Sequence, residues 1–190
     1  MSRFAWFIIG IAFGLVILAP LGGYLFAKLG GIAMATTANP LPFEETIAKT
    51  ALHASLGDAA KIQDPLPDEE ANLMGGVHIY QENCGMCHGL PEHPKTAIAQ
   101  GEFPPPPQLF EPKQMVTDDP QGVTYWKVSH GIRLSGMPGF AKTLSDNERW
   151  QVTMLLARAD KLPPTVRATL TNVPACSDSA KPGYSADRAR

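Results

Sequence analysis

Cysteine is scarce in this chain, with three residues among 190. A structural zinc site of the thiol-rich kind needs two ligand knuckles. Cys84 and Cys87 stand together, but Cys176 is alone in a Pro/Ser-rich tail, so the second knuckle is missing. An odd thiol of that kind either stays free or pairs with another molecule. Alternation of polar and apolar residues is never sustained, which excludes a sheet and predicts an all-α fold. There is no internal repeat. A basic excess is lacking too: 16 Lys/Arg face 18 Asp/Glu. Only Arg3 and Lys28 of those bases precede residue 29, which leaves 14 against 18 acids and a formal charge of −4 downstream. Nucleic acid is not the partner of such a surface. Seven of the acids fall within residues 40–70, against Lys49 and Lys61. They suit a protein partner with a basic or neutral docking face, or serve to keep a solvated linker soluble.

What is present is one short motif, Cys84-Gly85-Met86-Cys87-His88. C-x-x-C-H is the attachment signature of a c-type haem. On a helical turn, thiols three residues apart share a face. Both can then form thioethers along one edge of a porphyrin, and His88 can turn its imidazole under the iron. A redox C-x-x-C pair is the alternative for the cysteines alone, but it leaves His88 unused. The motif occurs once, so one haem is expected.

The second axial position decides between an electron carrier and an enzyme. Met137 lies in Gly131-Ile132-Arg133-Leu134-Ser135-Gly136-Met137-Pro138-Gly139-Phe140, between a glycine and a proline. Those neighbours place its backbone in a turn, from which a thioether can cross the far face of the ring. Met1, Met34 and Met74 precede the haem motif, Met86 is inside it, Met154 falls on a helix-like run, and Met115 lacks a comparable turn. His130 is the competitor for the same position. Arg133, Trp126 and Tyr125 flank the ligand loop and carry donors suited to haem propionates. Arg133 is equally readable as a solvated charge.

These residues together resemble a class I c-type cytochrome of the bacterial, membrane-anchored, single-haem type. The likeness rests on Gly76 and Tyr80 ahead of Cys84–His88, on Pro104–Pro107, on Tyr125-Trp126 through Gly136-Met137-Pro138, and on Trp150 with Leu155 and Leu156. It covers roughly residues 72–163. The resemblance implies a class I cytochrome c fold around one covalent haem c, His88/Met137 ligation of the iron, and one-electron transfer between redox partner proteins. A closed iron of this kind makes the protein a carrier and not a catalyst. In such cytochromes a proline carbonyl accepts the Nδ1–H of the proximal histidine. Any of the four prolines of Phe103-Pro104-Pro105-Pro106-Pro107 could supply it, and Pro106 is taken as the candidate. One departure is visible: Leu90-Pro91-Glu92-His93-Pro94 follows the haem motif where many relatives have a glycine-rich stretch.

Periodicity supports the same helical domain. Acidic Pro67-Asp68-Glu69-Glu70 opens a helix that carries Leu73, Val77 and Tyr80 on one stripe. Ser145-Asp146-Asn147-Glu148 has the form of a capping box, and opens a helix expected over 148–159. Gly76 allows close approach of another helix, with Trp150 the expected partner. A third helix is expected around 122–129, after a long loop from Ala97 to Gln121.

The N-terminus supplies the compartment. Phe4–Ala27 contains no charge, and a bilayer core needs about 20 apolar residues. The apolar stretch of a cleaved signal peptide is shorter, about 7–15 residues, although Ala33-Met34-Ala35 resembles a cleavage site and Pro20, Gly22 and Gly23 interrupt the run. The expected organisation is a single transmembrane helix over 1–28, a juxtamembrane linker with a short helix over 29–70, a haem domain over 71–163, and an irregular tail over 164–190. Covalent haem attachment places that domain on the periplasmic side of the cell inner membrane. Three functional readings follow: a tethered carrier in a respiratory or similar electron-transport chain, a tightly bound haem subunit of a larger multisubunit membrane complex, or an enzyme or gas sensor with an open iron, against which Met137 argues.

Overall fold

The structure, a computed structural model, describes residues 2–111 and 116–172; Met115 and Cys176 lie outside this range. The described residues are helical with no strand. They form two compact units that meet between Lys49 and Thr50.

In the first unit, helix α1 (Arg3–Lys28) starts where the Ser2 hydroxyl accepts the Ala5 N–H. It runs through Pro20, and its mean hydropathy is 2.5 over the most apolar stretch. None of its side chains is buried, so this apolar surface has no protein cover. A 26-residue helix is about 39 Å long at about 1.5 Å per residue, more than the roughly 30 Å of a bilayer core. Helix α1 is the membrane anchor. Helix α2 (Glu44–Leu56) begins with two acids in its first turn, where they meet the positive end of the helix dipole.

The second unit is built on helices α3 (Glu70–Asn83) and α7 (Asp146–Leu156). They cross at Gly76, where any side chain would overlap the Gln151 carbonyl oxygen and crowd Leu155. The close partner of Gly76 is therefore the α7 backbone at Gln151, and not Trp150 as the sequence suggested. Trp150 instead stacks on Tyr125 of helix α6 (Gln121–His130), with ring centroids 4.0 Å apart. Ser145 caps α7 with the expected reciprocal box to Glu148. Leu73, Val77, Tyr80, Val152, Leu155 and Leu156 form the core between these helices.

Two boundaries differ from those read in the sequence. The segment 164–190, which starts at Pro164, was expected to be irregular because it is rich in Pro, Ser, Ala and charge. The same proline opens helix α8 (Pro164–Thr171), since proline suits a first helical position. Val166 and Leu170, four apart on one face, are fully buried against the core. The linker also ends earlier than residue 70. Ala59 is buried, and its carbonyl lies so close to Gly122 of α6 that no side chain fits there. The turn at Ala59–Lys61 thus packs as part of the haem-domain unit.

Candidate haem site

Helix α4 (Gly85–His88) is a single turn that directly follows α3. It carries Cys84 at its N-cap, then Cys87 and His88, so both thiols project from one turn as the spacing predicted. They are not joined in a disulfide. Burial pushes the Cys84 thiol up to about 12, and the neighbouring Cys87 adds to that. Burial, then the Glu102 carboxylate, raises Cys87 as well. Both sulfurs therefore keep their protons near neutrality.

The turn is closed by Gly89, whose φ of 72° suits glycine alone and whose missing side chain makes room for the Gln108 amide. Three consecutive residues, the last proline of the run and the two that follow it, then fasten onto it. The Nδ1–H of His88 donates to the Pro107 carbonyl at 2.8 Å. The Gln108 amide donates to the Cys87 carbonyl at 3.0 Å, and the Leu109 N–H to that of His88 at 3.3 Å. The acceptor for His88 is thus Pro107, one residue beyond the Pro106 expected. Pro106 faces Gln108 instead, whose amide reaches its carbonyl at 3.2 Å. The reason is register: once Gln108 and Leu109 bond to residues 87 and 88, only Pro107 can lie opposite the imidazole.

With Nδ1 occupied, Nε2 is the nitrogen left for a metal. Burial lowers the His88 pKa, against smaller opposing effects of the Pro107 carbonyl and Glu102, and so favours a neutral imidazole, the form able to bind a metal. From behind, the buried Tyr80 hydroxyl donates to the Gly89 carbonyl at 2.8 Å, and its ring packs edge-on to Phe110.

Met137 sits in a loop that leaves α6 at Gly131, a position with φ of 67°. The Ile132 N–H donates to the Met137 carbonyl at 3.2 Å, while the Met137 N–H donates to the Ser135 hydroxyl at 3.2 Å. Beyond it, the Phe140 and Ala141 N–H groups bond to the Val128 and Ser129 carbonyls of α6. The methionine is therefore presented by a loop bonded at both ends. Arg133 is exposed at the tip of that loop. Trp126 is half-buried and stacks on His130, whose Nδ1 lies 3.0 Å from the Trp126 carbonyl on the same helix.

Sequence reasoning missed two residues here. Gln108 is a buried amide at the end of a proline run, and a single polar residue leaves no periodic trace. Glu102 ends helix α5 (Ala97–Gly101), a turn capped by Thr96 within what was expected to be loop. Its carboxylate lies 3.6 Å from the Cys87 sulfur and packs against Gly136, where a side chain would overlap it. Glu102 thereby joins the C-x-x-C-H turn to the Met137 loop, which are 50 residues apart in sequence.

Two thiols, a neutral imidazole with one nitrogen free and a thioether on a bonded loop are the donor set that covalent haem requires. Residues 71–154 match the family model described as cytochrome c oxidase, cbb3-type, subunit III. No curated protein and no solved structure matches the chain.

Proposed function

Given that residues 71–154 are a c-type cytochrome domain, which implies covalent haem c and electron transfer, we propose that Cys84 and Cys87 carry the haem as thioethers and that His88 and Met137 ligate its iron. The observation that carries this reading is the 2.8 Å bond from His88 Nδ1 to Pro107, which keeps the proton on Nδ1 and leaves Nε2 free to hold a metal. Haem c supplies a one-electron iron couple at this site. Met137 would supply the second protein ligand to that iron and leave no open position for a substrate, so the reading is a carrier and not a catalyst. Tyr80, Gln108 and Pro107 hold the C-x-x-C-H turn and the His88 ring in place, which would limit rearrangement when the iron changes charge. Trp126 and Arg133 serve as donors to the propionates. The anchor lies in the cell inner membrane with the haem domain on the periplasmic side, where it relays electrons between redox partner proteins.

The description of the matching family as an oxidase subunit favours a second reading, in which the chain is held in a larger membrane complex and passes electrons to or from a catalytic subunit.

Replacing Met137 by alanine tests the ligand assignment. The expected product binds haem but is high-spin, open to exogenous ligands and lower in potential, because the thioether raises the potential. An unmoved low-spin spectrum would discard Met137 and make His130→Ala the next variant.

A further inference from the structure

Glu102 is half-buried at the junction of the two segments that build the site. One of its oxygens lies 3.6 Å from the Cys87 sulfur and against the backbone of Gly136, next to Met137. Among the described residues no lysine, arginine or histidine forms an ion pair with it. The thiol of Cys87 is its hydrogen-bond donor. Thioether formation removes that proton, because the sulfur bonds to carbon instead. The carboxylate then stands beside the sulfur that joins protein to macrocycle, without the donor it has here.

We propose that Glu102 is a positioning residue whose negative charge sets the haem potential, holding it below the value that the axial ligands alone would give. The inference rests on the haem assignment above. Its physical basis is elementary: oxidation adds one positive charge at the iron, and a nearby anion stabilises that form over the ferrous one. A half-buried site is screened less by salt than an exposed one, so the effect persists at physiological ionic strength. Chain geometry explains why the charge is tolerated there. Thr96 caps α5 and bonds to the Met86 carbonyl, which ties the helix that ends in Glu102 to the haem-binding turn. Gly136 supplies the space that the carboxylate fills.

The test is redox titration of the full-length holoprotein in three forms: unaltered, Glu102→Gln and Glu102→Asp. Glutamine keeps the shape and deletes the charge, so its midpoint potential should move to a more positive value. Aspartate restores the charge and should return the potential toward that of the unaltered protein. Where Glu102→Gln does not accumulate with haem, Asp and Asn at position 102 carry the same comparison. A glutamine variant with an unchanged potential overturns the proposal, as does an equal shift in glutamine and aspartate variants, which would trace to shape and not to charge. Haem content and the sulfur-to-iron charge-transfer band are read on the same samples. If they are missing from the unaltered protein, the His88/Met137 reading fails; if they are intact and the potential does not move, only the role of Glu102 fails.

Discussion

Tyr80 shows how one atom can support a functional turn whose side chains it never touches. Its ring belongs to the core, but its hydroxyl reaches the carbonyl of Gly89, the residue that terminates the haem-binding turn. Burial pushes the phenol pKa far above its usual value, so the group remains a donor throughout the accessible pH range. Changing Tyr80 to Phe keeps the ring contact with Phe110 and strands a buried carbonyl. The expected cost is about 1–3 kcal/mol, the usual penalty for an unsatisfied buried acceptor, read as a lower denaturation midpoint with haem content retained. Gly76 makes a harsher test. An alanine there would overlap the Gln151 backbone oxygen, which cannot rotate away as a side chain could. The α3–α7 crossing would have to open, at a cost of roughly 1–3 kcal/mol or more. Denaturant unfolding of Gly76→Ala measures it, and a stability equal to that of the unaltered chain would mean the helices are not in register as described.

Helix α8 is the element that changes the account of the haem loop. Leu90–Pro94 follows the haem-binding turn, and α8 is what holds it: Arg167 pairs with Glu92 at 3.0 Å, and the His93 ring lies 3.1 Å from the Thr171 carbonyl. On its other side, the Gln81 amide donates to the Thr169 carbonyl at 2.8 Å. Val166 and Leu170 together contribute about 3–6 kcal/mol by burial, taking about 1.5–3 kcal/mol for each. Ending the chain after Pro163 should therefore lower stability by several kcal/mol and expose the 89–94 loop to proteolysis. A truncated chain as stable and as resistant as the full one would reduce α8 to an ornament.

The same helix marks where sequence reading stops. The C-x-x-C-H turn, the Met137 loop and the capped α7 are legible because their signals are local: fixed spacing, a Gly-Met-Pro turn, a Ser…Glu box. The eight residues of α8 are too few for periodicity to assert itself, and two adjacent prolines look like a terminator whichever side the helix is on. Pro107, Gln108 and Glu102 were hidden for another reason. Their roles come from register and juxtaposition across the fold, which no short window contains.

For the molecule as a whole, the open question is whether the chain works alone. Helix α1 exposes aromatic and aliphatic side chains on every side, Phe4, Trp6 and Phe13 among them, an apolar surface that lipid or neighbouring helices can equally cover. In a free tethered carrier lipid alone would cover it, and the membrane would serve only as a surface to move along. A subunit locked into a complex would instead cover part of this helix with its neighbours. After extraction in a mild detergent, native electrophoresis with a haem stain separates the two cases. The carrier reading predicts a band set by one 20.5 kDa chain plus its haem and detergent, unchanged when the membranes are first washed with salt. A haem band that co-migrates with larger membrane proteins, and falls to single-chain size only in harsher detergent, would replace the carrier with the subunit. Salt matters to the argument because electron-transfer encounters are small and partly electrostatic, and dissociate when charges are screened. Contacts between packed transmembrane helices rest on van der Waals fit and survive the same wash.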